Sequence, residues 1–131
     1  MVTQTRTTLG LSPKEKKAVK EFLAAVKLEH GGKIQRAALF GSKVRGEAEE
    51  YSDIDILLIV TDDNWRFRRD ISRISSGIAL KFDVLLDVRV IGAARWQYMA
   101  DIQSGLYQNI SRDAVAVTGR KRISHDKLTT R

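Results

Sequence analysis

Phe40-Gly41-Ser42-Lys43-Val44-Arg45-Gly46, then after five more residues Ser52-Asp53-Ile54-Asp55-Ile56-Leu57-Leu58-Ile59-Val60, is the stretch on which the reading of this chain turns. The aliphatic run from Ile54 to Val60 predicts a strand, and apolar side chains on both of its faces predict that the strand is covered on both sides. Successive side chains of an extended chain alternate faces. Asp53 and Asp55 therefore point the same way, with Cα atoms about 6.6 Å apart. Ile54 anchors the opposite face. Two carboxylates at the start of a buried strand can converge on one cation or on two neighbouring ones, and ligation by oxygen alone suits magnesium. Asp53 capping a turn with Ser52, beside a merely solvated Asp55, is the bland alternative.

The preceding loop favours the metal reading. Gly41 permits a tight backbone after a strand, and Ser42 offers an N–H and a hydroxyl to an anionic oxygen. Arg45 supplies a donor fork suited to phosphate, or pairs with a nearby acidic residue. Gly46 allows close backbone passage again. Ten residues ahead of the aspartate pair, this loop reads as a triphosphate grip beside a metal grip.

Working outward, Ser12-Pro13-Lys14-Glu15 is a helix start: a capping oxygen, a proline where a missing N–H costs nothing, and a glutamate three residues after the cap. Val19, Phe22, Leu23 and Val26 form one buried stripe, and Gly31-Gly32 ends the helix. Residues 34–40 read as a strand, weakened by Ala37-Ala38. After Val60, Asp62 or Asp63 can cap a helix in which Phe67, Ile71, Ile74 and Ile78 face the core while Arg66, Arg68, Arg69 and Arg73 largely face elsewhere. Residues 82–91 predict a third strand, and Gly92 introduces a short helix with Trp96 and Met99. A helix or turn over 106–110 and an edge strand over 114–117 complete the order. Helices alternating with at least three strands predict an α/β or α+β fold, a small mixed β-sheet packed by helices.

The chain of 131 residues is long enough to bury one real core. The absence of cysteine excludes disulfides, thiolate metal sites and cysteine nucleophiles. No run of 18 apolar residues or signal-peptide pattern is present, so no membrane association and a cytoplasmic location are expected. The net charge of +7 is uneven: Arg120, Lys121, Arg122, Lys127 and Arg131 against Asp126 place +4 beyond residue 118. The expected organisation is a domain over 12–118, a flexible segment over 1–11 and a basic tail over 119–131, which can lie along nucleic acid or simply be solvated. His30, near a helix end, reads as structural or exposed, and His125 in the charged tail has no partners at ligand spacing. Trp65, Trp96 and Tyr98 are aromatics that can stack on a base or pack against the sheet.

Gly41-Ser42-Lys43-Val44-Arg45-Gly46 with Ser52-Asp53-Ile54-Asp55-Ile56-Leu57-Leu58 resembles the signature of the nucleotidyltransferase superfamily related to DNA polymerase beta, and most closely its minimal nucleotidyltransferase (MNT) antitoxin-like members. The sharp part spans about residues 39–60. The resemblance implies a third carboxylate on a neighbouring strand, for which Asp87 and, as the alternative, Asp83 are the candidates. It implies that Asp53, Asp55 and Asp87 are catalytic and hold Mg2+, with two ions implied, while Gly41, Ser42 and Arg45 bind the phosphates of ATP or another NTP. The implied reaction is metal-dependent transfer of a nucleoside monophosphate to a hydroxyl acceptor on a partner protein. A small helical HEPN-type toxin is the implied partner, an RNA 3′-hydroxyl is another acceptor class, and self-association stays open. The alternative from a different class is a non-catalytic, antitoxin-like module that neutralises a partner protein by binding.

Overall fold

The computed structural model describes residues 10–46 and 52–117; the expected flexible stretch up to residue 9 and the basic tail lie outside these described residues. Helix α1 (Pro13–His30) starts as its sequence dictates. Ser12 N–H donates to Glu15 Oε1 at 2.9 Å and Glu15 N–H donates to Ser12 Oγ at 3.1 Å, closing the reciprocal cap. The helix buries Ala18, Val19, Phe22 and Val26, with Leu23 half-buried beside them. It tightens into a 3-10 turn over Gly31–Lys33 rather than stopping at a left-handed glycine. Leu11, just ahead of the cap, packs on the core.

Strand β1 (Ile34–Phe40) leads through Gly41 into the single-turn helix α2 (Ser42–Arg45), and strand β2 (Ile54–Val60) follows. Helix α3 (Trp65–Phe82) then carries the chain to strand β3 (Leu86–Gly92). Helices α4 (Ala93–Asp101) and α5 (Gly105–Asp113) and the two-residue strand β4 (Val115–Ala116) complete the described fold. The sheet order is β3-β2-β1-β4. β1 runs antiparallel to β2 and β4, whereas β2 and β3 are parallel, as a crossover through a helix requires.

β2 is covered on both sides. Ile54, Ile56, Leu58 and Val60 meet α1 and α3 through Phe22, Val26, Ile71 and Ile74. Leu57 and Ile59 meet Trp96, Tyr107 and Ile110 of α4 and α5 on the other face. A sheet with helices on both faces is the expected mixed architecture. Among the described residues no helix is long and apolar enough to cross a membrane.

Two local expectations are corrected. The cap of α3 is Asn64, not Asp62 or Asp63: its side chain accepts from Phe67 N–H at 3.0 Å. The third strand begins at Leu86, not residue 82, because α3 runs through Phe82 and ends on Asp83 in the left-handed region at φ 55°, ψ 55°. Val84 N–H returns to the Ala79 carbonyl at 3.1 Å and closes that end. Asp83 and Asp87 therefore do not share a strand face.

Candidate functional site

β1 ends where β2 and β3 begin, since Phe40 lies opposite Asp55 and Ile54 lies beside Leu86. The Ile54 N–H donates to the Leu85 carbonyl at 2.8 Å and squares the start of the parallel pair. Asp55 and Asp87 are direct partners in that ladder, which sets their backbones one strand spacing, about 4.8 Å, apart. By alternation Asp55 shares a face with Leu57 and Ile59, and Asp87 with Ile91. That face carries α4 and α5. Asp53, two residues ahead, is exposed immediately before β2 and keeps the same side. The fold thus brings Asp53, Asp55 and Asp87 to one end of one sheet face.

The electrostatics register this crowding. The Asp55 carboxyl is raised from 3.8 to about 6, first by burial, then by the charge of Asp87 and a hydrogen bond with it, and then by the charge of Asp53. Arg89, two residues beyond Asp87 on the same face, opposes the rise. Anionic groups pressed together in a partly desolvated corner need cationic compensation.

Gly41 closes the site from the β1 side. Its φ of 84° and ψ of −163° suit glycine alone, and a Cβ there would lie 2.2 Å from Asp55 Oδ2. The loop backbone and the carboxylate share a space that any side chain would fill. Ser42 opens α2, half-buried, and the N–H groups of Val44 and Arg45 return to the Gly41 carbonyl at 3.1 and 3.2 Å. Gly46 ends the turn in the left-handed region at φ 75°.

Arg45 donates to the buried carboxylate of Asp113 at the end of α5, so its guanidinium ties the loop to that helix. Five donors leave a guanidinium able to serve more than one acceptor. Asp83 stands elsewhere: its side chain is 97% exposed and lies 4.0 Å from Lys14. It is Asp87 that the fold sets beside Asp55. Three participants escaped the sequence reading. Arg89 was signalled by its two-residue spacing from Asp87, whereas nothing local marks Asp113 or the burial of Lys43.

The donor set is oxygen alone, with a backbone cradle beside it, and this fits a hard divalent cation. Among the described residues a tighter cluster, Glu29, His30 and Asp70, has ligand atoms within 4.8 Å of one another. It lies at the opposite end of the sheet, where Arg73 already donates to Asp70 and Glu29 at 2.7 and 3.0 Å and His30 Nε2 lies 2.6 Å from Asp70. A guanidinium fills the cationic role there. Trp96 is buried against Tyr107, ring centroids 4.9 Å apart, and packs rather than binds.

A Gly-Ser turn abutting three clustered carboxylates on a helix-covered mixed sheet defines a nucleotidyltransferase-type domain. Residues 19–115 match the nucleotidyltransferase domain family, and the chain belongs to it. Two similar proteins of Methanocaldococcus jannaschii bear the names "Putative protein adenylyltransferase MJ0604" and "Putative protein adenylyltransferase MJ0141". The first is 51% identical over 45 residues, 34% of this chain and 45% of that protein, so the match spans less than half of that relative's length. The second is 35% identical over 69 residues, covering 52% of this chain and 70% of that protein. A solved structure described as "Crystal structure of the toxin-antitoxin with AMP-PNP" shares the fold at a TM-score of 0.52 and 20% identity, over 85% of this chain and 81% of that one.

Proposed function

We propose that this domain transfers a nucleoside monophosphate from ATP to a hydroxyl group on a partner protein, in the manner the names of its two relatives describe. The observation that carries the reading is the side-by-side placement of Asp55 and Asp87 with Gly41 packed against the Asp55 carboxylate. Asp53 and Asp55 would hold Mg2+ bearing the triphosphate, and Asp87 would share with Asp55 the acceptor-side ion. When bound, the two ions supply positive charge to the entering and departing oxygens of an in-line displacement.

The protein's own groups do the rest. Gly41 and Ser42 hold the β- and γ-phosphates through backbone N–H and hydroxyl donors, in a turn that only glycine can shape. Arg45 supports that grip through its tie to α5. The acceptor oxygen forms a bond to the α-phosphorus while the bond to the β-phosphate bridging oxygen breaks, and pyrophosphate leaves. Asp87 receives the hydroxyl proton.

The shared fold with a toxin–antitoxin structure favours a protein acceptor of toxin type and keeps a second reading in view, neutralisation by binding alone. Incubation with α-labelled ATP, CTP, GTP and UTP plus Mg2+, with and without a co-purifying partner and with RNA, separates them. Label transferred to the partner from ATP, and abolished in Asp53→Ala and Asp55→Ala, is the expected result. Partner binding that is indifferent to both substitutions, with no labelled product on protein or RNA, would refute catalysis.

A further inference from the structure

Lys43 sits inside the Gly41–Gly46 loop, yet its side chain is turned onto α1. It is 4% exposed, and its Nζ donates to Glu15 Oε2 at 2.8 Å. Glu15 is 8% exposed and spends its other oxygen, Oε1, on the Ser12 N–H at 2.9 Å. The residue that closes the cap of α1 thus also holds the loop between β1 and β2, 28 positions away. Gly10 completes the joint: a Cβ at that position would lie 1.8 Å from the Lys43 carbonyl oxygen, so the chain entering α1 presses directly on the loop backbone.

A single helical turn has no stability of its own, since nucleation alone is unfavourable. α2 is four residues long, so its position is set by what its side chains grip. Val44 enters the core between α1 and the sheet, Arg45 reaches Asp113 on α5, and Lys43 reaches Glu15 on α1. The last is the buried ionic contact. Two ions removed from water hold their geometry strictly, because leaving either alone exposes an uncompensated charge to a low dielectric. Hydrophobic contact through Val44 is non-directional and tolerates sliding; the Lys43–Glu15 contact does not.

We infer that Glu15 and Lys43 are a positioning pair that fixes the Gly41-Ser42 turn relative to Asp55, so that the N-terminus of α1 sets nucleotide affinity through the loop it holds. This rests on the proposed nucleotide-binding reading. The pair predicts a selective defect: displacement of the turn weakens the triphosphate grip while leaving the carboxylates on β2 and β3 in place.

The test uses full-length protein and four forms: wild type, Glu15→Gln, Lys43→Met and the double variant. Glutamine keeps the cap at the helix start and methionine keeps the aliphatic stem. Each single variant is expected to lower Tm by on the order of 10 °C by stranding a buried charge, with the double variant recovering most of it. Affinity for a non-hydrolysable ATP analogue with Mg2+ is expected to stay about tenfold or more below wild type in the double variant, while binding of Mn2+ alone is unchanged. A double variant with wild-type Tm and wild-type nucleotide affinity would reduce the pair to a structural role and overturn the inference. Wild-type protein with no nucleotide affinity would instead sink the nucleotide-binding reading, and the inference with it.

Discussion

Asp55 carries the sharpest conflict between folding and function. Its carboxyl is raised from 3.8 to about 6, so between those values the folded chain holds a proton that the unfolded chain has lost. By linkage its contribution to stability is fully present below 3.8 and is lost as pH rises through 6. Asp55→Asn removes the penalty. The variant is expected to have a higher Tm than wild type at pH 7.5, a difference that vanishes by about pH 4, together with loss of Mg2+ binding and transfer. Thermal melts across that range check the sign, and a variant less stable than wild type at pH 7.5 would contradict the origin assigned to the shift. Asp63 and Asp70 work the other way. A hydrogen bond from Arg68 holds the first below the usual carboxylate range, and one with His30, then one from Arg73, hold the second there. Their contributions fade in acid, below the region where Asp55 titrates.

Among the elements, β1 and β2 were legible to their ends, because Gly31-Gly32 and Gly41 bracket the first and the run to Val60 has no breaker. Asp53 and Asp55 were legible for the same reason, since alternation alone puts them together. The junction of α3 and β3 was not. Phe82, Val84, Leu85 and Leu86 are apolar on either side of Asp83, and that aspartate ends the helix in a conformation more often given to glycine. That junction decides which carboxylate joins the site. Asp83→Gly is expected to raise stability by about 1 kcal/mol, because glycine adopts the left-handed cap without steric cost, and to leave transfer intact. Asp87→Ala is expected to abolish transfer. Denaturant melts and labelled-nucleotide assays on the two variants read both outcomes, and activity lost in the first but kept in the second would exchange their roles. Nothing in the sequence marks Lys43 as buried, because charge predicts exposure, and only a partner 28 residues upstream reverses that expectation.

Across the whole molecule the site is a seam, drawing on α2, the starts of β2 and β3, and through its anchors on α1 and α5. A ligand gripping this seam stabilises the folded state by mass action, about 2.7 kcal/mol at a hundredfold excess over Kd. Hydrogen exchange with and without an ATP analogue and Mg2+ is expected to slow together at the amides of β2 and β3, and slowing confined to the 42–46 loop would show that the carboxylates stay outside the grip. The parallel ladder between Asp55 and Asp87 also has a consequence for biosynthesis. All of α3 lies between β2 and β3 in the chain, so the ladder cannot zip until residues 86–92 have been made. A chain that stops short of Leu86 therefore holds Asp53 and Asp55 without the carboxylate that the fold sets beside them.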